Sequence, residues 1–185
     1  MSSQYSKTNN EDTINLVKKF IASNQRKRRN LVNDIESSVE SLFVVGEEII
    51  KYADRQGDDW CIGWVLQVLK KYKPKFFENE IYNNWFYTNS AIDIKYNNLQ
   101  LNLLNQNFEE ADRLTSSYLR KLAGKVAENR GYVFYSEVKD IPGEDLITID
   151  RLWNIYSQGK FGFSNQAKLL KSVGKRYDLL WPKIG

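Results

Sequence analysis

The chain has 185 residues, no histidine and a single cysteine, Cys61. Those facts exclude an internal disulfide, Ser-His-Asp and Cys-His catalysis, His-ligated haem and most zinc sites. Hydrophobic residues at 42% supply a core, a net charge of +4 permits an anionic partner without requiring one, and no apolar run approaches the ~18 residues of a membrane span.

The N-terminus, MSSQYSKTNNED, is polar and lacks the apolar segment of a secretory signal. Residues 1–10 read as a disordered tail. Ile14, Val17, Phe20 and Ile21 then recur at helical spacing, and after the basic run QRKRR (25–29) so do Leu31, Ile35, Val39 and Leu42. EEIIKYADRQG is expected to be a third helix ending at Gly57. Asp59 is a plausible N-cap for WCIGWVLQVLKKY, which Pro74 ends, and KFFENEIYNNWFY reads as a short aromatic helix. The polar stretch TNSAID (88–93) is the candidate boundary between an N-terminal helical bundle, 11–93, and a second block, 94–185.

The second block opens with Tyr96, Leu99, Leu103 and Leu104 on one helix. Asn107, with Glu110 three residues on, predicts a capping box for a helix striped by Ala111, Leu114, Thr115, Tyr118, Leu119 and Leu122. Gly124 sits where a C′ glycine belongs. GKVAENRGYVFYSEV is expected to be a long loop with a short extended piece at YVFY. Leu146, Ile149, Leu152, Trp153 and Tyr156 predict a further helix, stopped by Gly159. Ser164 is the expected cap of the next, with Ala167, Leu170 and Val173 inward, and RYDLLW closes the chain. No pair of strands flanks a hairpin turn, so the expected fold class is all-α, in two parts.

Few motifs carry chemistry. The run Arg26 to Arg29 reads as a solvated helix end rather than a nucleic-acid site, because Asp34 and Glu36 follow it. Glu109–Glu110 and Glu144–Asp145 fall in first turns of predicted helices, where negative charge favours the dipole. Cys61, beside Trp60 in an apolar helix, reads as a buried structural thiol. GKFGF is neither of the phosphate-binding glycine patterns, and no strand precedes it. Nothing nominates a reaction, so no catalytic residue and no metal ligand is expected.

Taken in order, EADRLT (110–115), the P-x-x-D-L turn (142–146), ID-x-LW (149–153), S-x-GKFGFS (157–164) and Gln166 closely resemble the core domain of the genomes-uncoupled-four family of tetrapyrrole-binding proteins, whose plastid-encoded members are the Ycf53 proteins. The resemblance covers roughly residues 95–185. It implies a cupped all-helical core with an apolar palm that binds protoporphyrin IX or its magnesium complex. It also implies a non-catalytic regulator that stimulates magnesium chelatase, with the large porphyrin-binding subunit as partner. The implied setting is a plastid stroma or cyanobacterial cytoplasm, with possible peripheral membrane association, no nucleic-acid partner and no required cofactor. Family members usually continue past LWPKIG, so the core is expected to be incomplete at its C-terminal end. Gly143 stands where a cysteine is common, and Asn165 where an aliphatic residue is.

A porphyrin is a flat apolar disc with two propionates, which asks for an aromatic concavity and a few cations at its rim. Val126, Tyr132, Val133, Phe134, Trp153, Phe161 and Phe163 are the porphyrin-binding candidates, and Arg130, Arg151 and Lys160 the propionate-binding candidates. The alternative from another class is a helical protein-interaction or signalling module that keeps the scaffold and has lost the ligand.

Overall fold

A computed structural model describes residues 2–37, 46, 50 and 53–184, and among them every regular element is helical. In chain order these are α1 (Ser2–Ala22), α2 (Gln25–Ser37), α3 (Trp60–Tyr72), a 3-10 turn (Pro74–Glu78), α4 (Glu80–Asn83), α5 (Asn97–Leu104), α6 (Phe108–Leu122), α7 (Lys125–Arg130), a second 3-10 turn (Tyr135–Asp140), α8 (Gly143–Tyr156), α9 (Phe163–Ser172) and α10 (Tyr177–Ile184). The all-α class therefore holds. The third helix expected before Gly57, with Val39 and Leu42, lies largely outside the described residues.

The centre is α3, buried on every side from Trp60 to Leu69. A helix apolar all round belongs inside a fold. Asp59 caps it as expected, its carboxylate accepting from the Cys61 amide at 2.9 Å. Asp59 also holds Arg28 of the basic run at 2.8 Å, and Arg28 donates to the Phe20 and Ile21 carbonyls at the end of α1. One residue of that run is thus a structural tie between α1 and α3, while Arg26, Lys27 and Arg29 are exposed. Cys61 is fully buried, and burial pushes its thiol far above the ordinary range, the chemistry of an inert core cysteine.

Helix α8 lies against α3 with almost no space between them. A Cβ at Gly63 would meet the Ile155 Cγ2 at 2.5 Å and the Ile155 carbonyl oxygen at 2.8 Å. Beside this contact, buried Gln67 donates to the Leu103 carbonyl at 3.0 Å and the Tyr156 carbonyl at 2.8 Å. Those oxygens close α5 and α8, whose last carbonyls have no partner inside their own helices. Gln100 works similarly on the 76–87 segment: its side chain accepts from the Phe86 amide at 2.8 Å and donates to the Phe86 carbonyl at 3.1 Å.

The two blocks share one apolar core, which runs from Val17 through Trp64 and Leu69 to Leu152 and Tyr156. The polar stretch 88–93 is irregular, as its composition suggests, but it is pinned to α8. The Ala91 amide donates to Asp145 at 3.0 Å, and the Thr148 hydroxyl to the Asn89 carbonyl at 2.9 Å. Asp145 also accepts from the Tyr96 hydroxyl at 2.6 Å and is wholly inaccessible. Burial raises its carboxyl, but the hydroxyls of Ser90 and Tyr96 and the Ala91 amide outweigh burial, and the group sits below the ordinary carboxylate range.

Several local expectations are corrected. Helix α1 begins at Ser2, not after residue 10; no glycine or proline interrupts the chain there. The aromatic segment after Pro74 forms a 3-10 turn and a single α turn, with Tyr82 stacked on Trp85, rather than one helix. Asn107 precedes α6 but makes no side-chain cap, and Glu110, which would complete the box, is instead paired with Arg113, one turn on, at 2.6 Å. Of the YVFY segment, Phe134 is extended, as expected, and Tyr135 already belongs to the second 3-10 turn.

Gly63→Ala sets a helix-propensity gain of ~1 kcal/mol against overpacking of ~1–3 kcal/mol or more. Since the colliding atoms include backbone, the variant should be less stable, lowering the urea midpoint; an unchanged or raised midpoint contradicts the close approach. Asp145→Asn should cost ~1–3 kcal/mol at pH 7. The depressed folded carboxyl contributes fully above its unfolded value, near pH ~4, and loses that contribution as pH falls through the folded value. The stability gap between wild type and variant should therefore shrink from pH 7 to pH 3, measured by urea unfolding. An equal gap at both would count against the network.

Candidate ligand cavity

The outer face of α8 faces away from α3 and carries Leu146, Ile147 and Asp150. With Leu119 of α6, Val133 and Val138 of the 131–140 connection, Ile141 and Phe163 of α9, these residues line an open cavity of about 450 Å³. That volume lies within the ~300–1,000 Å³ of small-molecule sites, and its wall is almost entirely hydrocarbon. Apolar side chains of the wall itself remain exposed, Ile147 at 68% and Val138 at 46%, whereas Val126, exposed at 71% on α7, is not among the lining residues. Water in contact with so much contiguous apolar surface favours an apolar occupant.

Phe163 is where this cavity meets a smaller hollow of about 220 Å³, lined by Phe108, Thr115, Trp153, Phe161 and Phe163 among others. Trp153 is buried there, its indole N–H donating to Thr115 at 2.9 Å, with the Phe108 and Phe161 rings each 6.1 Å away. Trp153 and Phe161 thus form the floor beside the main cavity, and Phe163 stands on the wall between. The stretch that carries them turns at Gly162, with φ +123°, where a Cβ would strike the Asp150 carboxylate at 2.7 Å. Asp150 uses that space to accept from the Ser164 amide at 3.0 Å and so caps α9. The expected Ser164 cap is replaced by this one from the neighbouring helix. Helix α9 starts two residues earlier, with Gly162 at the N-cap, which puts Phe163 in its first turn, and Ala167 is exposed rather than inward.

The remaining candidates separate. Val133 lines the cavity, while Tyr132 and Phe134 flank it in sequence, half exposed and edge-to-face with ring centroids 5.3 Å apart. Arg130 lies over both rings, 4.7 Å from the centre of Tyr132 and 4.0 Å from that of Phe134. It donates to Glu137 at 2.5 Å and to the Tyr132 carbonyl at 3.0 Å. The Phe134 amide donates to the same Glu137 oxygen at 2.8 Å. That amide first, and Arg130 second, hold the Glu137 carboxyl below its ordinary range.

Arg151 is not brought to the cavity. Its guanidinium donates to the carbonyls of Arg55, Gly57 and Tyr87, in a polar hollow on the other side of Ile147 and Asp150. Lys160 is exposed on the turn after α8, its amide bonded to Ser157, and it does not line the cavity. Sequence reading missed Leu119, Val138, Ile141, Leu146, Ile147 and Asp150. Five of these are aliphatic, and an aliphatic on a helix stripe signals core and cavity wall alike.

An all-helical chain with an open apolar cavity beside an aromatic floor has the form of a binding protein for an apolar ligand. The GUN4-like family model matches residues 89–185, over half the chain, and the chain belongs to that family. It is 39% identical over 129 residues to the Ycf53-like protein of Synechocystis sp., covering 68% of this chain and 55% of that one. It is 45% identical over 86 residues to the chloroplastic tetrapyrrole-binding protein of Arabidopsis thaliana, covering 46% and 32% respectively. GUN4 from Chlamydomonas reinhardtii superposes with a TM-score of 0.51 at 36% identity, over 52% of this chain and 68% of that one. The chain spans about half or less of the length of these two curated relatives.

Proposed function

We propose that the chain binds a tetrapyrrole, protoporphyrin IX or Mg-protoporphyrin IX, in the cavity between α6, α8 and α9. One observation carries this reading: an open hydrocarbon-walled cavity in a GUN4-like chain, one of whose relatives is a tetrapyrrole-binding protein. The flat macrocycle would lie against Leu119, Val133, Leu146, Ile147 and Phe163. The half-exposed rings of Tyr132 and Phe134 would extend the apolar contact beyond the cavity. Arg130, three residues before Val133 of the wall, is the better propionate candidate of the two arginines, because Arg151 is committed to three carbonyls.

The role that follows is non-catalytic. A carrier and regulator presents its porphyrin to, and stimulates, magnesium chelatase through the large porphyrin-binding subunit, in a plastid or a cyanobacterium. Kinship with a cyanobacterial and a chloroplastic protein supports that setting.

Titration with water-soluble deuteroporphyrin should quench tryptophan fluorescence saturably, since Trp153 lies beside the wall formed by Phe163. Phe163→Ala should weaken binding by about 1–3 kcal/mol, roughly 5- to 150-fold, with the helical circular dichroism retained. Absence of saturable quenching in the wild type would overturn the reading.

A further inference from the structure

The ion-pair clasp of Arg130 and Glu137, on the connection that brings Val133 and Val138 to the cavity wall, has a feature that its stabilising role does not explain. Arg130 and Glu137 are largely buried, with side-chain exposures of 19% and 23%. A guanidinium and a carboxylate can pair through two parallel hydrogen bonds. Here a single Arg130 nitrogen, Nη2, meets a single oxygen, Oε2, and that nitrogen is shared with the Tyr132 carbonyl. The Arg130 Nε is buried with no hydrogen-bond partner among the described residues. A buried donor left unpaired is costly, so the guanidinium holds recognition capacity that Glu137 does not use.

The clasp also bridges the two residues of this connection that line the cavity. Val133 lies between the ring residues that Arg130 covers, and Val138 follows Glu137 directly. Opening the ion pair would therefore free the segment carrying both. Glu137's other tie, to the exposed Phe134 amide, can pass to water at little cost.

We propose that Glu137 is an internal stand-in for the carboxylate of a ligand: a carboxylate-bearing ligand in the apolar cavity displaces Glu137 from Arg130, takes a two-bond pair with the guanidinium, and releases the 131–138 segment to close on it. The proposal rests on the tetrapyrrole reading and deepens it. Glu137 becomes a specificity-determining residue, because only a ligand whose acid arm reaches Arg130 recovers the pair that it breaks.

The test compares deuteroporphyrin with its bis-amide, in which both propionates are uncharged, on wild type, Glu137→Gln and Glu128→Gln. Glu128 is an exposed carboxylate on α7, the helix of Arg130, and controls for general charge. Glu137→Gln should bind the diacid about 3- to 10-fold more tightly, by the strength of one charge-assisted pair, and the bis-amide unchanged. Glu128→Gln should reproduce neither effect. Equal or weaker diacid binding by Glu137→Gln, or the same gain with Glu128→Gln, overturns the inference. Wild type that binds neither porphyrin overturns the tetrapyrrole reading and this inference with it. Wild type that binds both with no change in Glu137→Gln removes only the stand-in role. Should Glu137→Gln lose its helical spectrum, Arg130→Lys gives an independent measure. Lysine keeps the charge without the fork, so diacid affinity should fall about 3- to 10-fold with the bis-amide unaffected. No selective loss overturns the proposal.

Discussion

The approach of α3 to α8 at Gly63 and Ile155 sets the geometry on which the rest of the molecule depends. Any side chain at position 63 would hold the helices apart, and Gln67, one turn on, would no longer span both the Leu103 and the Tyr156 carbonyls. Because α8 is fixed on that side, its opposite face becomes a rigid wall. Tyr156, Ile155 and Leu152 are spent on the core, while Leu146, Ile147 and Asp150 are left to shape the cavity. One helix thus packs the core and walls the cavity through residues a turn apart.

The connection between α6 and α8 is built on different principles. Its 131–140 stretch holds no buried residue, and a single cation organises that stretch, with Arg130 over two rings and paired to Glu137. A segment held by one ion pair and two aromatic faces opens at far smaller cost than a packed helix. The cavity therefore has one wall of helix and one of lightly held chain, an arrangement suited to admitting a broad flat ligand and then covering it.

Much of the fold was legible in the residues. Helical spacing identified α5, α6 and α8, and Asp59, Pro74 and Gly124 marked helix ends by their own backbone chemistry. What the spacing could not reveal was long-range compensation. Asp150 caps α9 across 14 residues, and Glu110 leaves its expected capping role for an arginine one turn away. Asp145 has the local signature of a helix-dipole residue, yet it is buried by Tyr96 and the 88–93 stretch. The site divided the same way. Aromatic residues in the GKFGF stretch and the 132–134 segment stood out, and two of them, with Val133, belong to the cavity region; the aliphatic wall looked like ordinary core. Arg151 looked as available as Arg130 in sequence, and only its three carbonyl partners distinguish them.

The central claim is that the ligand lies flat against the α8 face of the cavity. A porphyrin ring current shifts methyl resonances strongly when they lie over its face, so methyl-labelled protein titrated with deuteroporphyrin reads the position directly. The account predicts large upfield shifts for Leu119, Val133, Leu146 and Ile147, with the buried methyls of Leu66 and Leu103 unmoved. Saturable binding that leaves those four residues in place, or shifts concentrated elsewhere, would contradict it.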